Sequence, residues 1–224
     1  MSRMARLGYR YFPGHHDERQ CDFVSSRGLL KSCRHFRRRP VSNTHRPPPV
    51  KGRSVRGHDS VYVSTRALPA FAERILPRIS RPFVLVSGDS DCGVNGRQIA
   101  PSVLQALLDN PYLEAWHAQN LTQTHPKQHH MPIGLDYHTL TGQGTHPWGR
   151  FQVPTAQERA LIAAARAAPP PAERSPRGYC NWHFAQERGS RRQCLERIDR
   201  KAVFFEPAPV PRAQSWASNA GMLF

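Results

Sequence analysis

The sequence predicts an α/β domain, a Rossmann-like three-layer arrangement on a largely parallel sheet. Short apolar runs of strand length alternate with helical patterns between residues 59 and 140. One of them, PFVLVSG (82–88), is continuously apolar and stops at a glycine, as a strand covered on both faces does. Successive apolar runs end in hydrogen-bonding residues: Ser87–Asp91, Gln119–Asn120 and Asp136–His138. Ligands of open α/β sheets bind where parallel strands give way to loops at their carboxyl ends. The pattern therefore points to a protein that holds a polar ligand.

Residues 1–20 read as a disordered basic tail, and 21–58 as a basic, Pro-rich, partly ordered segment. Within the latter, Phe23, Val24, Leu29 and Leu30 form an apolar cluster around an expected Arg27-Gly28 turn, and 40–57 reads as a linker or exposed loop. Order is expected from Asp59. SVYVST (60–65) is rich in β-branched residues and predicts a strand. Leu68, Phe71, Ile75 and Ile79 share one helical face, with Pro77 breaking the helix near its end. After the 82–88 strand, Ile99, Val103 and Leu107 predict a helix over 98–108, ended by Asn110-Pro111. LEAWHAQN and MPIGLDYH supply two further strands.

The stretch after Asp136 is loop-like until Thr155 and Glu158, which predict a T-x-x-E capping box opening a helix that Pro169–Pro171 stop. YCNWHF (179–184) and AVFFE (202–206) predict strands flanking a basic helix over 185–200 that Gly189 interrupts. The terminal AGMLF begins like a strand, so residues 59–224 read as a Rossmann-like domain truncated at its carboxyl end.

The net charge of +16 by itself suggests a nucleic-acid or anionic-surface binder. Its distribution argues otherwise. Residues 1–58 hold 14 Lys/Arg against 3 Asp/Glu, 59–150 hold 7 of each, and 151–224 hold 11 against 6. The basicity belongs to the ends and the centre is balanced. There is no run of about 18 apolar residues, so no transmembrane helix is expected. The Arg-rich amino terminus lacks the apolar stretch of a secretory signal. The cysteines at 21, 33, 92, 180 and 194 match neither a disulfide framework nor a zinc motif, and reduced thiols in a reducing compartment are expected.

SSRGLLKSC, VYVSTRALPAF, PFVLVSGDSD, NPYLEAWHAQN, HPKQHHMPIGLDYHTL and the later NWHF, RRQCLER and VFFE follow one another in a recognisable order. That order resembles a family of glycosyltransferases related to exostosin-like and fucosyltransferase-like enzymes of algae, protists and large viruses. The resemblance covers about residues 21–224, and WHAQN and MPIGLDYHT are its most specific pieces. It implies the glycosyltransferase-B architecture, two Rossmann-like halves facing across a cleft, with a sugar acceptor and a nucleotide-sugar as partners. Past Trp216 the family continues into a Gly/Pro-rich loop with an Asp, a His-Arg pair and a Trp-Glu pair that contact the donor, and this sequence has none of these. The resemblance thus implies the acceptor-side half, inactive alone.

Among the candidate site residues, Asp89-Ser90-Asp91 match a D-x-D pattern whose hard oxygens can hold Mn²⁺ or Mg²⁺. The same residues can instead contact a ligand without metal, or form a turn capping the next helix. Gln119 and Asn120 can hydrogen-bond sugar hydroxyls in both directions, or tie adjacent loops together. His125 and Lys127, with His129 and His130, form a cationic cluster suited to phosphate. Asp136 and His138, two apart on the expected strand, share a face on which His138 can act as a general base oriented by Asp136. Trp116 and Trp182 can stack on a sugar, although core packing is the commoner role. A second functional class is a nucleic-acid or polyanion binder using Arg34 and Arg37–Arg39 with His35 and Phe36, joined by Arg188, Arg191 and Arg192. No helix-turn-helix, zinc-finger or aromatic RNA-binding pattern accompanies them.

Overall fold

The computed structural model describes residues 18–142, 145–146, 148–181, 189–206, 210 and 214–216. Residues 1–17 of the tail expected over 1–20, Trp182, Arg188 and the AGMLF run lie outside these residues. The described residues divide into two compact units, one over 18–136 and one over those from Tyr137 onward.

The first unit is α/β, with a four-stranded, all-parallel sheet in the order β1-β2-β3-β4. It opens with a short 3-10 turn at Glu18–Gln20, within the stretch expected to be disordered, and helix α1, Ser26–Ser32. The Arg27-Gly28 turn expected from the sequence is in fact the first turn of α1. Ser25 caps it by accepting from the Gly28 N–H. Strand β1 is Asp59–Ser64, helix α2 Leu68–Arg74, strand β2 Phe83–Gly88, helix α3 Pro101–Leu108, strand β3 Leu113–Ala118 and strand β4 Gln128–His130. Helix α3 starts three residues later than its apolar spacing predicts, because Pro101 takes its first position.

Alternation along the strands sends side chains to two faces. Val61, Val63, Phe83, Leu85, Trp116 and Ala118 pack with Leu68 and Phe71 of α2 and Leu104 and Leu107 of α3 to form the main core. On the opposite face Tyr62 and Val86 pack under Leu30 and Cys33, at and just beyond the end of α1. The segment 21–58 therefore belongs to the same compact unit as the sheet. Of the apolar cluster expected there, only Leu30 is fully buried, while Phe23 and Val24 are exposed.

The strand expected at 131–138 is absent. Only Leu135 makes a single parallel bridge, to Ser25. Pro132 has no N–H for a ladder, and Gly134 turns the chain with φ 73°. The fourth strand instead forms just upstream.

The second unit contains helix α4 (His138–Gly142), a hairpin of β5 (Thr145–His146) and β6 (Gly149–Arg150), helix α5 (Pro154–Ala167), strand β7 (Gly178–Cys180), helix α6 (Arg191–Arg197) and strand β8 (Val203–Phe205), which pairs in parallel with β7. The predicted capping box does not form. Pro154 starts α5, Val153 occupies the cap without a side-chain bond, and Glu158 is buried, accepting from the Tyr137 hydroxyl at 3.2 Å. Gln157, fully buried, donates to the carbonyls of Tyr137 and Gln152. No helix among the described residues is long and apolar enough to cross a membrane.

Candidate functional site

The carboxyl ends of β2 and β3 lie side by side, and each runs into a non-glycine residue in the left-handed region, Asp89 at φ 51° and Asn120 at φ 53°. Asp and Asn reach this region more readily than other residues, since their short polar side chains bond to nearby backbone. Here Asn120 does so across loops. The Asn120 Nδ2 donates to the Ser90 carbonyl at 2.9 Å, and the Val94 N–H donates to the Asn120 carbonyl at 2.9 Å. Gln119, 1% exposed, accepts the Asp89 N–H at 2.9 Å and donates to the Ile133 carbonyl at 3.2 Å. Of the two roles open to Gln119 and Asn120 in the sequence, the geometry gives them the tying of loops.

The segment 40–57, expected as a linker, completes this end of the sheet. The Asn43 N–H donates to the Asp89 carbonyl at 2.9 Å, and the Asn43 Oδ1 accepts from the Ser90 hydroxyl at 2.9 Å and the Asp91 N–H at 3.3 Å. The Ser42 hydroxyl donates to Asp89 Oδ1 at 2.7 Å while accepting from Arg27 Nη2 at 3.3 Å. The guanidinium thus supports the carboxylate at one remove. Sequence reasoning missed Arg27, Ser42 and Asn43. The available signal was the turn-forming Ser-Asn-Thr run, submerged in a proline-rich context.

Asp89 and Asp91 face different spaces. Asp89 is 7% exposed and lines a small hollow with Tyr62 and Ser64. Burial drives the Tyr62 phenol pKa far upward, the nearby Asp89 and Cys33 add to this, and Arg27 opposes it. Asp91 lines a cleft of about 320 Å³ with Thr65, Arg66, Cys92, Gln98 and His45. Carboxylates that line separate spaces do not fit a shared Mn²⁺ or Mg²⁺. Among the described residues no three His, Cys, Asp or Glu side chains group as metal ligands. The D-x-D residues form a bend tied to Asn43 and Asn120, but it does not cap the next helix, where Ala100 holds the cap position without a side-chain bond.

His125 and Lys127 lie at the amino end of β4, away from the carboxyl-end cluster. Lys127 Nζ donates to the carbonyls of Leu108 and Asn110 at 2.8 and 3.0 Å, and His125 Nδ1 accepts the Lys127 N–H at 3.1 Å. Lys127 therefore satisfies carbonyls at the carboxyl end of α3, a place where cations are favoured. His129 and His130 are exposed on β4, and the His129 ring lies 5.1 Å from His117 on β3. Burial and then the neighbouring His129 hold the His117 pKa below its usual value. Trp116 is fully buried, its indole N–H donating to Ser87 Oγ at 2.8 Å, which settles its role as core packing.

Asp136 ends the first unit, one residue past the Leu135 bridge, and His138 begins α4 in the second. With no strand there, the shared face expected for this pair is lost. The basic segment also divides: Arg37 Nη2 donates to the Pro47 carbonyl at 2.8 Å and Phe36 packs against the second core, while Arg34, Arg38 and Arg39 are exposed. No protein-family model matches this chain, and no curated protein does.

Proposed function

We propose that this chain is a glycosyltransferase-like protein, the acceptor-side half of a nucleotide-sugar-dependent transferase of the hexosyl or fucosyl type, with saccharide binding as its own contribution. The supporting observation is the cleft beside the carboxyl ends of β1 and β2, lined by Thr65, Arg66, Asp91 and Gln98. It lies where parallel α/β sheets take their ligands. Hydroxyl, amide, carboxylate and guanidinium groups stand together there, and a saccharide offers both donors and acceptors to such a mixture. The order of motifs from SSRGLLKSC to VFFE supplies the family resemblance. Phe36 is half-buried against the second core, which limits its use for base stacking and supports the saccharide reading over the nucleic-acid one.

Isothermal titration of the whole chain with mono- and disaccharides, and with UDP- and GDP-sugars with and without Mn²⁺, tests this. The expected result is saccharide binding with a Kd on the order of millimolar and no dependence on Mn²⁺. No saccharide binding, together with tight, salt-sensitive binding of heparin or single-stranded DNA, sinks the proposal.

A further inference from the structure

The buried polar atoms without hydrogen-bond partners on one hollow include Asp89 Oδ2, the Tyr62 hydroxyl and the Ser64 hydroxyl. Their residues are 7%, 3% and 8% exposed. The topology explains why they converge. Tyr62 and Ser64 are two apart on β1 and share the face on which Leu30 packs. Gly88 is the register partner of Ser64 on β2, and a Cβ there would stand 2.9 Å from the Tyr62 oxygen. The bare glycine leaves the phenol room at the strand's carboxyl end, and Asp89 follows it. Orphaned buried polar groups are rare in folded proteins, and a cluster of three facing one space marks a place for a missing partner.

Size and charge select that partner. The hollow measures about 20 Å³, room for one water-sized group, and the exposed Val41 and Arg46 stand among its lining. An anion there meets the Asp89 carboxylate. A cation meets Arg37, whose buried Nε also has no partner, and Arg46. A neutral hydroxyl donates a hydrogen bond to Asp89 and accepts one from Tyr62 or Ser64. Tyr62 stays protonated for this role, because burial and then the neighbouring Asp89 raise its pKa.

We propose that this hollow is the subsite for a single carbohydrate hydroxyl, with Asp89 as acceptor and Tyr62 and Ser64 as donors. The assignment rests on the saccharide-binding reading above and adds a hydroxyl contact in a hollow separate from the cleft that Asp91 lines.

The test is an amide-resolved NMR titration of the whole chain with D-glucose, D-galactose, D-mannose, L-fucose and N-acetylglucosamine. Inorganic phosphate and ammonium chloride serve as the anion and cation arms. At least one sugar should shift the amides of Ser64, Gly88 and Asp89, and neither ion should. Tyr62→Phe and Ser64→Ala each delete a hydroxyl that is unpartnered in the free protein. The folding midpoint should hold or rise in both, while the sugar Kd rises roughly five- to tenfold. Sugar shifts confined to Asp91, Cys92 and Gln98, with Kd unchanged in both variants, overturn the subsite and leave the proposed function standing. Lower stability in both variants with unchanged Kd identifies an ordered water and overturns it too. Shifts at these amides with phosphate or ammonium instead of sugar also overturn it, and no sugar binding anywhere overturns both proposals.

Discussion

The Gln119 side chain spans the end of the sheet, accepting the Asp89 N–H at 2.9 Å through Oε1 and donating to the Ile133 carbonyl at 3.2 Å through Nε2. One buried amide thereby joins the turn after β2 to the chain after β4, and fixes Asp89 in its left-handed conformation. Gly88 makes the contact possible, since a Cβ there would lie 2.4 Å from Gln119 Oε1.

Gly88→Ala should therefore force Gln119 aside and cost about 2 kcal/mol. Gln119→Ala, which strands the Asp89 N–H and the Ile133 carbonyl, should cost about 2–3 kcal/mol. Urea denaturation of both variants checks this. If the two losses arise from the same broken contact, the double variant should lose clearly less than their sum. Full additivity counts against a shared origin.

A pH-dependent contribution is expected from Asp59, whose carboxylate sits 2.7 Å from His35 Nε2. Burial alone would raise its pKa. The Arg56 N–H and the His35 side chain outweigh burial and hold the pKa below the usual carboxylate value. A depressed folded-state pKa gives stability that is present above the unfolded value, about 4, and is lost as pH falls through the folded one. Asp59→Asn should thus be less stable than the parent chain at pH 6, with the gap closing as the pH is lowered below 4. A gap that stays constant across this range excludes the linkage.

Much of this fold was legible in the sequence, and the reasons for the rest are specific. The strands at 59–64, 83–88 and 113–118 are apolar runs bounded by polar stops, so composition and length sufficed to find them. MPIGLDYH misled because its apolar residues suggest a strand while Pro132 and Gly134 deny it a ladder. Gln128–His130 forms a strand with no apolar signal at all, through parallel pairing with Trp116–Ala118. At the candidate site, Asp89, Asp91, Gln119 and Asn120 were found because they close strands. Arg27, Ser42 and Asn43 were not, because only long-range pairing brings them there, 47 residues apart in the case of Ser42 and Asp89.

Thiol labelling should separate the five cysteines by environment, all of them being free. Cys33 is buried and its pKa is pushed up to about 11, chiefly by desolvation, so almost none of it is thiolate near pH 8. Cys194 is exposed. Mass-resolved alkylation of the native chain at pH 8 should modify Cys194 first and leave Cys33 untouched until denaturant is added. Early modification of Cys33 would show that the Leu30 layer opens readily from the sheet.

Lys127 distinguishes a structural cation from a phosphate-binding one. Its ammonium satisfies two carbonyls where α3 ends, those of Leu108 and Asn110, and lies at the amino end of β4. Replacing it by methionine keeps the aliphatic stem and removes the charge and both donated bonds. The expected loss is about 1–2 kcal/mol, because two backbone acceptors lose their partner and a favourable charge leaves the helix carboxyl end. Saccharide and nucleotide-sugar affinity should be unchanged, since the candidate cleft lies at the opposite ends of the strands. Denaturation and titration of Lys127→Met read the two effects separately. An intact folding midpoint with weakened nucleotide-sugar binding would reverse the assignment and make the His125–Lys127 segment a phosphate contact after all.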